Sequence, residues 1–317
     1  MYRIGVDLGG TNISVGVVDV DNGYSIIGRG QRKTHAPRPA EEIFDDIAAA
    51  ARDAAADAGI SLSDAASMGV GTPGSVNKSN GYIEFANNLG FHQVPAQAML
   101  QQRVGLPVYL DNDANCAALG EALAGSGGGV DSFVAITLGT GVGSGIVIDG
   151  KVVNGVNDAA GEMGHHVIHV DGFPCNCGRK GCWEAYASAT ALIRQTKEAM
   201  EQNPGSAMWR IAGGDMEKVN GKTSFDAWRA GDEAGTAVVQ RYMRYLAVGL
   251  GNIINALQPA MICVGGGIGH EGENLLAPLR ELIKGERYSI YAEKQTELVS
   301  ARLGNDAGIV GAAALTR

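Results

Sequence analysis

Apolar positions along the chain fall into two patterns. Short buried runs end in glycine, and longer stretches carry apolar residues at helical spacing. Residues 2–8, YRIGVDL, predict a buried strand. Gly9-Gly10-Thr11-Asn12 follows, then a second apolar run at residues 13–18, so the opening predicts a hairpin. Another strand is predicted at residues 24–33. Residues 38–58 predict a helix, with Ile43, Phe44, Ile47, Ala51 and Ala54 on one face and acidic residues in the first turns. A strand at residues 67–70 runs into Gly71-Thr72-Pro73-Gly74-Ser75. A short strand at residues 106–110 runs into Asp111-Asn112-Asp113-Ala114-Asn115, and a helix is predicted over residues 114–124, ending at Gly125.

The hairpin design then returns. Residues 133–138 predict a strand, Gly139-Thr140-Gly141-Val142-Gly143 a turn, and residues 145–148 a second strand. Helices are predicted at residues 185–201 and 231–257. The longer one buries Val238, Val239, Tyr242, Leu246, Leu250, Ile253, Ile254 and Leu257 and stops before Pro259. A strand at 260–264 leads into Gly265-Gly266-Gly267-Ile268-Gly269, and residues 306–315 predict a last helix. Residues 203–224 read as a surface excursion. Strands alternating with helices predict an α/β protein.

At 317 residues the chain has room for two domains with real cores. Its 25 Lys and Arg against 34 Asp and Glu give a net charge of −9, which argues against a nucleic-acid surface. Glycine reaches 47 residues, against an average of about 7%. No repeat accounts for the excess, which points to many tight backbone turns. The first residues show no basic segment followed by an apolar one, and no run approaches the ~18–20 apolar residues of a membrane span. The expectation is a soluble cytoplasmic protein with no membrane partner.

The densest chemistry lies at residues 161–184, GEMGHHVIHVDGFPCNCGRKGCWE. Cys175, Cys177 and Cys182 stand here with His165, His166 and His169 just upstream. Thiolates and an imidazole at short spacing favour tetrahedral Zn2+, and a filled Cys3His set is structural rather than catalytic. Cys-x-Cys is too tight for an easy disulfide. Spacing alone leaves the three histidines open as the fourth ligand. Cys116 and Cys263 lie in apolar surroundings and are expected in the core.

The two glycine hairpins let backbone N–H groups approach phosphate oxygens closely. In the first, Gly9 and Gly10 supply the turn, Thr11 and Asn12 add polar side chains, and Asp7 can orient Mg2+ through water. Thr140 and Gly141 stand at the tip of the second. Two such hairpins in one chain suggest a duplicated architecture around a nucleotide. Gly221-Lys222-Thr223 looks like the end of a P-loop. That pattern needs glycine five residues before Gly221, where Met216 stands. Asp113, near a predicted helix start, is either an N-cap or a general base for a hydroxyl nucleophile. Glu162 and Glu184 bracket the cysteine cluster, and each offers two acceptor oxygens to hydroxyl donors.

The hairpins, as DLGGTN and TLGTGVG, resemble those of the actin-like ATPase (ribonuclease H-like) fold. GE-x-GH followed by C-x-CG-x2-GC-x-E-x-YAS resembles the ROK family of bacterial sugar kinases and sugar-responsive repressors, and the resemblance runs from Ile4 to Leu315. It implies two α/β domains around a nucleotide and sugar cleft. The smaller would hold residues 1–115 with 303–317, because the last helix packs back on the first domain; the larger would hold 116–302 and the zinc motif. It implies His165 as the zinc-binding histidine and Asp113 as general base. Gly74, Asn88 (with Asn87 a rival), Asn112, Asp113, Glu162, His165 and Glu184 would read the sugar. Asp7, Gly9, Gly10, Thr11, Asn12, Thr140 and Gly141 would take phosphate and Mg2+, and Gly266 and Gly267 adenosine. The first acidic position of the Asp111-Asn112-Asp113 motif is often Glu in the family.

The activity so implied is an ATP-dependent hexose kinase acting at the 6-hydroxyl, in a homodimer or higher homo-oligomer. GTPG, NNLGF and CNCGRKGCWEAYAS look most like the glucokinase branch, with N-acetylmannosamine, N-acetylglucosamine, allose and fructose as rival sugars and polyphosphate as a rival donor. Repressors of the family carry a winged-helix domain ahead of the first hairpin, which here begins within the first few residues. A non-catalytic sugar sensor would more naturally have lost the base or a phosphate loop.

Overall fold

The computed structural model of the protein describes residues 1–316; Arg317, last residue of the expected smaller domain, lies outside them. In chain order the first 161 residues hold β1 (Tyr2–Leu8), β2 (Asn12–Asp19), β3 (Ser25–Lys33), α1 (Ala40–Asp57), β4 (Ala65–Thr72), β5 (Ser75–Asn77), β6 (Tyr82–Ala86), β7 (Phe91–Val94), α2 (Ala96–Val104), β8 (Val108–Asn112), α3 (Asp113–Ala124), β9 (Ser132–Leu138), β10 (Val142–Ile148) and β11 (Lys151–Val152). The remainder holds α4 (Glu184–Ala187), α5 (Ala189–Gln202), α6 (Ala207–Ile211), α7 (Thr223–Arg229), α8 (Glu233–Leu257), β12 (Met261–Gly265), α9 (Gly266–Gly269), α10 (Glu273–Lys284), β13 (Glu297–Ser300) and α11 (Asp306–Ala314).

The chain divides into two compact units. The first holds residues 1–135, 145–161 and 301–317, and the second residues 136–144 and 162–300. One sheet runs β3-β2-β1-β4-β8, another β11-β10-β9-β12-β13, and a small third sheet β5-β6-β7. The two larger sheets share one order: a hairpin extended by a further strand on one side, then two crossover strands on the other. β1 pairs antiparallel with β2 and parallel with β4, and β4 pairs parallel with β8. The duplication suggested by the two glycine hairpins is thus present in the topology.

In the first unit, α1 buries Ile43, Phe44 and Ile47, each contributing about 1.5–3 kcal/mol of apolar burial. On the opposite side, α11 lies directly on the strands. A Cβ on Gly5 of β1 would stand 1.9 Å from the Ile309 carbonyl oxygen, and one on Gly69 of β4 would stand 1.8 Å from that of Ala312. Only residues without a Cβ let the helix backbone come so near, so α11 is fixed over the strands that carry Asp7 and Gly71. α11 also packs on α3, where a Cβ on Gly120 would meet the Ala307 carbonyl oxygen at 2.2 Å. This contact groups 116–124 with the first unit.

In the second unit, α8 buries Val238, Val239, Tyr242, Leu246, Leu250, Ile253 and Ile254, while Leu257 at its end is exposed. The helix expected over 185–201 is two helices. Ser188 is extended (φ −76°, ψ 165°) and caps α5, its hydroxyl accepting from Ala191 N at 3.1 Å. Residues 203–224 are not a surface excursion. They hold α6 and the start of α7, and Met208, Ala212 and Val219 close a small core with Met200 and Ala227. The helices there are too short to show a period. Cys116 and Cys263 are buried, as expected of core residues. Among the described residues no helix is long and apolar enough to cross a membrane.

Candidate active site and metal centre

β1, β4 and β8 end side by side. Asp7 pairs with Gly71, Gly71 with Asp111, and Thr72 with Asn112, so three parallel strands deliver their carboxyl-terminal residues to one edge of the sheet. Ligands in such sheets bind outside that edge.

Asn112 is the cap of α3. Its Oδ1 accepts from Ala114 N at 2.8 Å and Asn115 N at 3.4 Å. The capping role open to Asp113 in the sequence is thereby taken by its neighbour, and Asp113 is the first residue of the helix. Asp113 Oδ1 accepts from Ala114 N at 2.9 Å. Burial pushes the Asp113 carboxyl above the ordinary carboxylate range, against lowering hydrogen bonds from the Ala114 and Asp113 N–H groups and the Asn112 side chain. Burial also pushes Asp7 up to about 6, and the Asp113 charge adds to the push. Asp7 and Asp113 therefore feel each other electrostatically.

Asn112 Nδ2 donates to Gly74 O at 3.1 Å, which brings together two expected sugar-reading residues. Gly74 has φ +89°, and a Cβ there would stand 2.0 Å from Phe85 O, so no other residue fits without strain. Asn87 and Asn88 lie exposed in a 3-10 turn, Asn87–Leu89, closed by Gly90 at φ 70°. Of the two, it is Asn88 whose Cβ would meet a Cβ on Gly10, at 3.5 Å, so Asn88 stands beside the first hairpin.

That hairpin closes with Gly9 N donating to Asn12 O at 2.9 Å. Two residues outside every sequence motif hold it. Thr34, fully buried, donates from Oγ1 to Gly9 O at 2.7 Å and from N to Thr11 O at 2.9 Å. Lys33 Nζ donates to Asn12 Oδ1 at 2.8 Å, placing a cation at the hairpin. The only sequence signal for either is its position at the end of the third strand of a glycine-turn meander.

In the second unit, His165, Cys175, Cys177 and Cys182 present donor atoms that all lie within 4.8 Å of one another. His165 Nδ1 is 3.7 Å from Cys175 Sγ, and Cys177 and Cys182 have Sγ atoms 3.7 Å apart. Three sulfurs and one imidazole nitrogen converging from two loops suit Zn2+ with every ligand position filled. His169 is turned elsewhere, with Nδ1 3.0 Å from Val170 O.

This cluster is tied to the second hairpin. Glu184 Oε2 accepts from Val142 N at 2.9 Å, and Cys175 Sγ lies 3.7 Å from Glu184 Oε1. Met163 N donates to Ser144 Oγ at 2.9 Å, Thr190 Oγ1 to Thr140 O at 2.8 Å, and Ala189 N to Gly139 O at 2.8 Å. Glu162 is exposed at the start of the 3-10 turn Met163–His165. Gly266, at φ +79°, sits against β9, where a Cβ would stand 2.6 Å from Leu138 O. Gly267 beside it is open to solvent.

The ROK family profile matches residues 3–317. A glucokinase of Thermotoga maritima is 38% identical over 99% of this chain and 96% of that protein. Among solved structures, a ROK family glucokinase from Streptomyces griseus in complex with glucose and AMPPNP is 37% identical, covers 100% of this chain and 99% of its own, and superposes with a TM-score of 0.82. A ROK hexokinase from Thermus thermophilus is 32% identical, covering 99% and 97%, with a TM-score of 0.84.

Proposed function

The chain belongs to the ROK family, with the actin-like ATPase fold of its sugar kinases, and from that premise we propose that it is an ATP-dependent glucose kinase acting on the 6-hydroxyl. The observation that carries the proposal is Asp113. It is a half-buried carboxylate of raised proton affinity, relieved of capping by Asn112, at the strand edge where Asp7 and the Gly74 loop also end. Glucose as the sugar draws on the full-length likeness to glucokinases.

Asp113 accepts the proton of the 6-hydroxyl as that oxygen attacks the γ-phosphorus of ATP. The bond from that phosphorus to the bridging oxygen breaks, and ADP leaves. Burial suits Asp113 to this role, because a carboxylate shifted toward neutral pH takes a proton more readily, and such a base contributes about 10²–10⁴-fold. Gly74, Asn88, Asn112, Glu162 and Glu184 orient the sugar through its hydroxyls. The backbone at Gly9, Gly10, Thr11, Asn12, Thr140 and Gly141 takes the phosphates, and Gly266 and Gly267 take adenosine. Mg2+ supplies charge neutralisation on the phosphate oxygens, and Asp7 is the residue we assign to it. Zn2+ would be held by His165, Cys175, Cys177 and Cys182 and has a structural role, fixing the loop that carries Glu162 and Glu184. His165 Nε2 remains for a sugar hydroxyl.

The functional lobes we assign are 1–115 with 303–317, and 116–302. We also take the protein to be cytoplasmic and to work as a homodimer or higher homo-oligomer. The exposed Leu257, Tyr288, Ile290 and Tyr291 give it apolar surface for self-association.

The test is ADP release from ATP and Mg2+ with glucose, N-acetylglucosamine, N-acetylmannosamine, allose and fructose, against a no-sugar control. Turnover with glucose well above the others is expected. Preference for an N-acetylated hexosamine would overturn the choice of sugar, and no turnover with any of the five on zinc-replete protein would overturn the kinase reading.

A further inference from the structure

Lys78 stands at the turn between β5 and β6 and reaches into the first unit beneath the head of α3. Its ammonium group forms an ion pair with Asp111, which is 1% exposed, and donates to Asn154 Oδ1 at 2.8 Å. Its backbone N–H donates to Asp158 Oδ2 at 2.9 Å. The other oxygen of Asp111 is already committed: Oδ1 accepts from Asn112 N at 2.7 Å and from Asn115 Nδ2 at 2.9 Å. Asp111 thus grips the residue before the helix and the residue one turn inside it, with Asp113 between them.

A carboxylate so deeply buried needs a cation and a full set of hydrogen bonds to stay in place. Lys78 is the cation that forms an ion pair with it. One ammonium group therefore joins three segments: the β5–β6 turn, the end of β8, and the loop of residues 154–158, which runs on in sequence to Glu162. The turn itself is pre-formed, with Asn77 Oδ1 accepting from Ser79 N at 3.1 Å and Asn80 N at 3.3 Å.

We propose that Lys78 is a positioning residue for catalysis, setting Asn112 and Asp113 through Asp111 rather than touching substrate. The inference rests on the reading of Asp113 as the base. Lys78 adjoins a cavity of about 740 Å³ lined also by Tyr109, Asp111, Lys151, Asn154 and Thr316, which offers a small cation a route to Asp111 from outside.

The experiment uses Lys78→Met and Lys78→Ala in the full chain, with glucose, ATP and Mg2+. Misplacing Asn112 and Asp113 by a fraction of an ångström to one ångström is expected to raise the glucose KM and lower kcat, together about 10²-fold in kcat/KM. The KM for ATP should stay within about two-fold, because no residue assigned to ATP phosphate lies in the network. Lys78→Ala lacks the elements of propylammonium. Prepared with propylammonium present and then dialysed, it should keep its circular dichroism while its glucose KM rises, and the amine should restore it where equal sodium chloride does not. An active wild type with an unchanged glucose KM in Lys78→Met would overturn the inference alone. So would rescue of Lys78→Ala by sodium chloride. A wild type that turns over no sugar would overturn the kinase reading, and this inference with it.

Discussion

Glu184 accepts the backbone N–H of Val142 through Oε2 at 2.9 Å, so the residue two positions past Cys182 is tied to the second glycine hairpin. Cys175 Sγ stands 3.7 Å from the other oxygen of the same residue. A metal that orders the loop therefore orders the hairpin behind it.

Removing Zn2+ should consequently weaken more than the sugar site. Chelation, or Cys177→Ser, is expected to lower the melting temperature and to cut kcat/KM about 10–100-fold or more. The KM values for glucose and for ATP should rise together. Metal analysis alongside the kinetics checks this, and a zinc-free protein with unchanged KM values would contradict it.

Gly74→Ala places a Cβ 2.0 Å from Phe85 O at a φ of +89°. The strain should cost about 1–3 kcal/mol of stability. Because Gly74 O is the acceptor for Asn112 Nδ2, any relief of that strain moves the carbonyl and raises the glucose KM. Denaturant unfolding and steady-state kinetics measure the two effects.

The shift of Asp7 makes a pH prediction. Its carboxyl is raised from 3.8 to about 6 by burial and then by Asp113. The folded protein therefore holds this proton more tightly than the unfolded chain does. Stability is lost as pH rises from about 4 through about 6, by about 3 kcal/mol at most for this group. Asp7→Asn, which cannot ionise, should be more stable than wild type above pH 6, with the gain vanishing near pH 4. Thermal unfolding of both proteins from pH 4 to 8, without Mg2+ or nucleotide, reads this directly. A gain that grows toward acid would contradict it.

What is legible in the sequence has short-range causes. Glycine hairpins, the Asn112-Asp113 pair and the Cys-x-Cys spacing are each set by neighbours a few residues apart. The strand order follows because the second hairpin repeats the design of the first. Thr34 is not legible, since its partners Gly9 and Thr11 lie 25 and 23 residues away and a buried threonine at a strand end has no local signature. Lys78 is hidden for the same reason: its partners Asp111, Asn154 and Asp158 converge only in the fold. The 203–224 segment reads as surface because α6 spans only Ala207–Ile211, little more than a turn, and its core is built from single residues of several elements. In the sequence, His165 is separated from His166 and His169 by resemblance alone. In the structure the difference is plain, since His165 points to three sulfurs and His169 to a carbonyl.

In the proposed mechanism Asp113 takes the proton of a glucose hydroxyl. The most direct measurement compares glucose affinity and turnover in Asp113→Asn. The amide keeps the shape of the side chain and an acceptor oxygen for Ala114 N but has no place for the proton. Calorimetric glucose affinity within about three-fold of wild type, with kcat lowered about 10²–10⁴-fold, is the predicted result. Turnover close to that of wild type would contradict the account.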